Sequence, residues 1–375
     1  MRSQFLLDPE VVFLNHGSFG ACPQPVFDSY QAWQRELEWQ PVEFIGRRLD
    51  GLLDAARAEL AAYVNATVED LIFVTNATQG VNLAARAVDL APGDEILTTD
   101  QEYGACERAW AYVCEQTGAK YIKQHQPLPV TTAAAWVEVF WAGVTPRTKV
   151  IYLSHITSPT ALILPVDMIC QRAREAGIIT IVDGAHAPGH VPLDLKQLDA
   201  DFYTGNCHKW LSAPKGSGFL VVRPEHHAKI TPLVISWGWT DDRTLVSANQ
   251  YQGTRDPAAF LAVPDAIRFQ RDHDWDTVRA ACHDLASETR QRIAALTGLP
   301  DLAPDSPAWY MQMFTAPLPP CDPDVVKRRL YDEFQVEVPI IPWNDAQHIR
   351  VSIQAYNTHE DADRLITALE KVLAD

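Results

Sequence analysis

KVIYLSHITSPTALILPVDMICQRAREAGIITIVDGAHAPG, residues 149–189, is the stretch that decides the fold. KVIYLSHI (149–156) and IITIVDGA (178–185) are short, β-branched and apolar at nearly every position, as strands buried on both faces are. Between them, residues 166–176 carry apolar side chains at helical spacing, and EAGI (175–178) places a glycine just past the helix end. Strands joined through such a helix run parallel, because a parallel return needs a crossover of about a dozen residues or more.

The alternation continues outward. LIFVT (71–75), DEILTT (94–99), KYIKQH (120–125), ADFYTG (200–205) and SGFLVV (217–222) read as strands, with helical spacing over 77–90, 104–117 and 132–143. The expected class is α/β, with a mainly parallel seven-stranded sheet and helices on both faces. Ligands of such sheets sit at the carboxyl ends of the strands. After Gly253 the pattern predicts helices over 258–271 and 276–296, then the proline-rich link LPDLAPDSP. The rest reads as strand (309–315), helix (323–334), strands (335–341 and 348–353) and helix (359–373), a small C-terminal α+β domain. The expected division is 15–255 and 256–375, with residues 1–14 packing on the smaller part.

Composition narrows the function. The 375 residues are 47% hydrophobic and 21% charged, as in globular proteins, and 31 Lys plus Arg against 48 Asp plus Glu give a net charge of −17. That balance repels nucleic acid. Seven scattered cysteines with no CxxC pair suit neither a disulfide framework nor a structural zinc site, so no metal is expected. No basic-then-apolar leader opens the sequence and no apolar run reaches about eighteen residues, so a soluble, cytoplasmic protein without a membrane span is expected.

The chemistry concentrates in TGNCHKWLSAPKGSGFL (204–220), where Lys209 follows a strand between His208 and Trp210. A lysine kept from bulk water loses its proton more easily and can form a Schiff base. Asp183 ends an apolar strand 26 residues earlier and can pair with a protonated ring nitrogen, although Asp-Gly-Ala is also a common strand-to-loop signal. His186 can bond beside it or simply fill the loop. TNATQG (75–80) opens a helix with small residues, either a phosphate cup that includes Ala77 and Thr78 or an ordinary N-cap. EYGAC (102–106) offers Tyr103 for stacking and GTRD (253–256) offers Gly253 and Thr254 for an anion, or each is ordinary loop chemistry; HIRVSIQAYNTHED (348–361) offers Arg350 for a carboxylate or for a surface salt bridge.

Together, FLNHGSFG (13–20), TNATQGVN, LTTDQEYGAC, SHITSPTALILP, VDGAHAPG, DFYTGNCHKWLSAPKGSGFL, YQGTRDPAAFLAVP and RVSIQAYNTHED resemble, in order, the class-V aminotransferases. These are fold-type-I pyridoxal-phosphate (PLP) enzymes, and the resemblance is to the isopenicillin N epimerase-like branch, related to cysteine desulfurases. It implies a fold-type-I transferase with a large PLP-binding domain, pyridoxal 5′-phosphate as cofactor, an amino-acid-type substrate and a homodimer with shared active sites. By position, Lys209 holds the cofactor, Asp183 partners its ring nitrogen, His186 lies beside the ring and Tyr103 stacks on it. Ala77, Thr78, Asn206 and His208 match the phosphate surroundings. Ser158 stands where relatives carry an asparagine that bonds the phenolic oxygen. Gly253 and Thr254 match a contact from the other subunit. Arg350 matches the α-carboxylate clamp, and Asn15 and His16 border the substrate pocket.

Desulfurases carry a nucleophilic cysteine roughly fifteen residues before that arginine. Here QVEVPIIPWNDAQHIR has none, and the nearest, Cys321, lies 29 residues before Arg350. The resemblance therefore implies chemistry beginning with loss of the Cα proton: epimerisation or racemisation, with C–S lysis and transamination open and persulfide chemistry disfavoured. The loops EWQPVEFIG (38–46) and ISWGWTDD (235–242) bring tryptophans either to the pocket or to a subunit interface. Other classes fit poorly. A serine hydrolase would need Ser217 with His186 and Asp183, yet KGSGF is not GxSxG, and no GxGxxG offers a dinucleotide site. A non-catalytic protein of this fold would not need Lys209, Asp183 and Arg350 together.

Overall fold

The computed structural model describes residues 1–374. A seven-stranded sheet runs in the order β2 (Leu71–Val74), β8 (Gly218–Val222), β7 (Phe202–Asn206), β6 (Ile179–Gly184), β5 (Thr148–Ser154), β3 (Glu95–Thr99) and β4 (Lys120–Gln124). Strands β7, β6, β5, β3 and β4 are mutually parallel, while β8 runs against both β2 and β7. The reversal at β8 has a local cause: residues 207–217, between β7 and β8, form no crossover helix, so the chain returns antiparallel. That short return carries Lys209.

The continuous apolar runs are explained by a core on each face. Val150 and Tyr152 enter one buried cluster with Ile181 and Phe202, and Ile151 and Leu153 enter the other with Val182 and Tyr203. Register then sets the site: Ser154 pairs with Asp183, and Asp183 pairs with Thr204, in one row at the carboxyl ends.

Helices cover the sheet much as the spacing implies, at Ala77–Ala87, Gly104–Thr117, Ala133–Trp141 and Val166–Glu175. The first must come close to β7. A Cβ on Gly80 would lie 2.1 Å from the Thr204 hydroxyl oxygen, so only glycine permits that approach. The helix expected over 258–271 is interrupted into Ala258–Leu261 and Val263–Asp272, because Pro264 has no N–H to continue the ladder.

The C-terminal part holds the long helix Trp275–Thr297 and a three-stranded antiparallel sheet, β11 (Ile340–Trp343), β12 (Ala346–Ser352) and β9 (Met313–Leu318), with helices Pro323–Phe334 and His359–Ala374. The strand expected over 335–341 is two strands. Its first half, β10 (Val336–Glu337), pairs parallel with β1 (Val12–Phe13), and Arg2 meets Asp361 at 3.0 Å. The strand expected over 309–315 begins later, at Met313. No helix among the described residues is long and apolar enough to cross a membrane.

Candidate active site

At the carboxyl ends of β5, β6 and β7 a cavity of about 300 Å³ opens over Asp183 and Lys209. Asp183 is 3% exposed. Its Oδ1 accepts the Ala185 N–H at 2.9 Å, and Oδ2 accepts the Tyr152 hydroxyl at 3.3 Å and the Cys106 thiol at 3.5 Å. Burial pushes its pKa up, against those three donors and the nearby Lys209. A carboxylate desolvated to this degree lacks a cation at contact distance.

Lys209 Nζ lies 3.1 Å from His186 Nε2. Burial, reinforced by Arg350, lowers the lysine to about 7, while Asp183 and Cys106 pull the other way. Roughly half the amines are then uncharged at neutral pH, against about one in 3,000 at the ordinary value. The loop bearing the lysine is held from the side by FLNHGSFG. Gly20 has φ +72°, a Cβ there would sit 2.0 Å from the His208 carbonyl oxygen, and Lys215 Nζ donates to the Gly20 carbonyl at 3.0 Å.

The helix at Ala77 begins on the cavity wall. Asn76 caps it, its Oδ1 accepting the Gln79 N–H, and the Ala77 N–H donates to Asn206 Oδ1 at 2.8 Å. TNATQG is therefore an N-cap and a lining segment at once: Thr75 through Thr78 all face the cavity, as do Asn206, His208 and Gly216. Tyr103, 47% exposed, stands at its edge with Phe19, 72% exposed.

Arg350, on β12, stands behind the cavity wall against two of its lining residues, Ser158 and Ser18. Its guanidinium is buried, with Nη1 donating to the Ser158 carbonyl at 2.7 Å and to Ser158 Oγ at 3.3 Å, and Nη2 to Ser18 Oγ at 3.3 Å. The buried Nε has no partner. Burial lowers its pKa to about 10, which leaves it charged at neutral pH. A fixed cation between two cavity-lining serines is a receptor for an anionic group.

Of the residues singled out from sequence, Lys209, Asp183 and His186 meet here with Ala77, Thr78, Tyr103, Ser158, Asn206 and His208. Asn15, His16 and Arg350 do not line the cavity, although Arg350 bonds Ser158 and Ser18, which do. His16 is wholly buried behind it, bonded to the Tyr356 hydroxyl at 2.9 Å and the Lys209 carbonyl at 3.0 Å, and Asn15 spends its amide on Glu337. Within one chain Gly253 and Thr254 also lie off the cavity, and the loops 38–46 and 235–242 flank a second cavity beside helix Leu49–Tyr63. A hydrolase triad is not assembled, since Ser217 is buried with its hydroxyl on the Pro214 carbonyl. Nothing in the sequence singles out Ser18 and Phe19 within FLNHGSFG, nor Tyr152, Ser154 and the roles of Cys106 and Trp210. A tyrosine inside an apolar strand carries no signal of what its hydroxyl will reach.

The class-V aminotransferase family profile matches residues 21–365. The chain belongs to the class-V aminotransferase family. It is 38% identical to the isopenicillin N epimerase of Amycolatopsis lactamdurans, over 99% of this chain and 97% of that protein. It is 30% identical to putative L-cysteine desulfhydrase 1 of Oryza sativa subsp. japonica, over 97% and 84%. Its fold superposes on the cysteine desulfurase CsdA of Escherichia coli with a TM-score of 0.83 at 24% identity, covering 100% of this chain and 97% of that one. Class-V aminotransferases are pyridoxal-phosphate enzymes, and the donor set fits that group: an amine lowered to about 7 for the aldehyde, a buried carboxylate with no ion-pair partner among the described residues for a ring nitrogen, and a helix N-terminus for a phosphate. Pyridoxal 5′-phosphate is the cofactor.

Proposed function

We propose that this class-V aminotransferase relative acts at the Cα of an amino acid or peptide-like amine, as an epimerase or racemase of the isopenicillin N epimerase-like kind. The observation that carries the reading is the meeting of a Lys209 lowered to about 7 and a buried Asp183 on one cavity, whose lining residues Ser158 and Ser18 are held by the cationic Arg350 and whose wall, among the described residues, includes no cysteine. Similarity to isopenicillin N epimerases over nearly the whole chain supports the same choice.

Pyridoxal phosphate supplies an electron sink for the electrons left when Cα loses its proton. Lys209, as free amine, takes that proton from one face of Cα, and inversion requires its replacement from the opposite face. Asp183 would pair with the ring nitrogen and hold its positive charge. Arg350, kept in place by Ser158 and Ser18, receives the substrate carboxylate. Ala77, Thr78, Asn206 and His208 would hold the phosphate, Tyr103 would cover the ring, and Ser158 would serve the phenolic oxygen. Cys321 lies outside the cavity, against a desulfurase persulfide.

A C–S lyase or aminotransferase is the second reading. Lys209 alone suffices as proton carrier for either, and the rice relative carries a desulfhydrase name. The assembly we propose is a homodimer with shared sites, in which Gly253 and Thr254 reach the partner's phosphate end. Trp39 at 90% and Trp237 at 87% exposure, with Val42 and Ile235 also exposed, are apolar side chains of the kind an obligate interface covers. Residues 15–255 then form the large unit and 256–375 the small one. Seven free cysteines suit a reducing, cytoplasmic setting. The test incubates the holoenzyme with amino acids and sulfur-containing amines in deuterated water. Cα exchange with inversion supports epimerisation, sulfide release supports lysis, and no exchange with any substrate refutes the proposal.

A further inference from the structure

Trp210 follows the lysine and is wholly buried. Its ring stacks on His190 with centroids 4.0 Å apart at 26°, and leans on His16 at 4.9 Å. Its carbonyl accepts Gln270 Nε2 at 2.8 Å. The indole nitrogen points at His186 Nδ1, 3.3 Å away.

An indole N–H can only donate, so His186 Nδ1 must be the bare, accepting nitrogen. Burial, Lys209 and Arg350, with lesser effects from His190 and His16, hold His186 far below its ordinary pKa, so the ring is neutral. In a neutral imidazole with a bare Nδ1, the proton sits on Nε2. The flanking histidines leave this arrangement alone. Both fall to about 3, mainly through burial. The Gln312 N–H donates to His190 Nε2, and His16 is engaged by Tyr356 and the Lys209 carbonyl.

We propose that Trp210 is a positioning residue that locks His186 in its Nε2–H tautomer, so that the imidazole meets Lys209 as a hydrogen-bond donor and not as a proton acceptor. An ammonium has three donors and no acceptor, so an N–H aimed at Nζ accommodates only the free amine. The lock therefore acts on Lys209 in the same direction as burial and Arg350, and against Asp183 and Cys106. Without the indole donor, His186 can turn a lone pair toward Nζ and stabilise the ammonium. The catalytic meaning rests on Lys209 being the reactive amine, but the tautomer itself does not.

The test uses apoenzyme, so its outcome is independent of cofactor chemistry. In ¹⁵N-histidine NMR, with the His186 signal assigned by its loss in His186→Gln, wild type should show a single Nε2–H ring. Trp210→Phe keeps a stacked ring and deletes the donor. There the tautomers should mix, and the pH midpoint for reductive methylation of Lys209, read by peptide mass spectrometry, should rise by about one pH unit. A wild-type His186 protonated on Nδ1 overturns the proposal, as does a folded Trp210→Phe protein with unchanged tautomer and midpoint. Should Trp210→Phe fail to fold, the wild-type spectrum alone decides. A protein with the Nε2–H ring that is not labelled on Lys209 by pyridoxal phosphate and borohydride would refute the proposed function and leave this inference standing.

Discussion

Lys209→Met in the apoenzyme removes the amine while keeping an unbranched apolar side chain of similar reach, and so isolates the cost of burying that amine. The folded chain lowers Lys209 from its ordinary 10.5 to about 7. Between those values the unfolded chain binds the proton that the folded chain does not, so wild-type stability gains a term that rises with pH. The contribution is absent below about pH 7 and complete above about 10.5. Each pH unit within the window contributes about 1.4 kcal/mol, and with half the amines already uncharged at pH 7 the gain from pH 7 to 9 is about 2 kcal/mol. Water in the open cavity screens part of the burial, so this is an upper value. Urea denaturation of both apoproteins at pH 7, 8 and 9 reads the effect. The difference in unfolding free energy, wild type minus variant, should climb by up to about 2 kcal/mol. Parallel pH profiles would mean that Lys209 is an ordinary charged lysine, and the account of its reactivity would fall with it.

Asp183→Asn should fold and still lose about a thousandfold in kcat, because a buried contact between unit charges is worth about 4 kcal/mol at an effective dielectric near 20; unchanged kcat would make Asp183 a loop cap only. Gly80→Ala should lower stability by about 1–3 kcal/mol in denaturant by pressing on Thr204, whereas Gly51→Ala, with open space around its Cβ, should stabilise its helix by up to about 1 kcal/mol. Arg350→Ala should raise KM for substrates with a free α-carboxylate by about tenfold or more and leave those without one nearly unaffected, as steady-state kinetics on a matched pair of substrates will read. Mixing Thr254→Ala with Lys209→Ala chains should give hybrid dimers with one intact site, measured as activity absent from either parent; the absence of any such recovery would refute shared sites.

Strand and helix placement was legible in the sequence because buried strands and covering helices impose periodicity on consecutive residues, and strands 149–156 and 178–185 carry it plainly. So was most of the candidate site's inventory. The carboxyl ends of adjacent parallel strands form one row, so Asp183, the turn at Ala77 and the lysine after β7 converge once the strand order is known. Three matters were settled only by tertiary structure. The direction of β8 depends on how the chain between Asn206 and Gly218 turns back, which no periodicity records. The fate of His16 depends on whether its ring faces the cavity or the packed layer behind it; Tyr356 and the Lys209 carbonyl, far away in the chain, draw it to the latter. The protonation states follow the same logic. Asp183 is shaped by Cys106 and Tyr152, 77 and 31 residues away in sequence, and His186 by Trp210, 24 residues away. A hydrogen bond depends on a few tenths of an ångström and on angle, and burial depends on everything packed around the group. Residue type and spacing show which groups can titrate or donate, and only the packed chain decides which of them do.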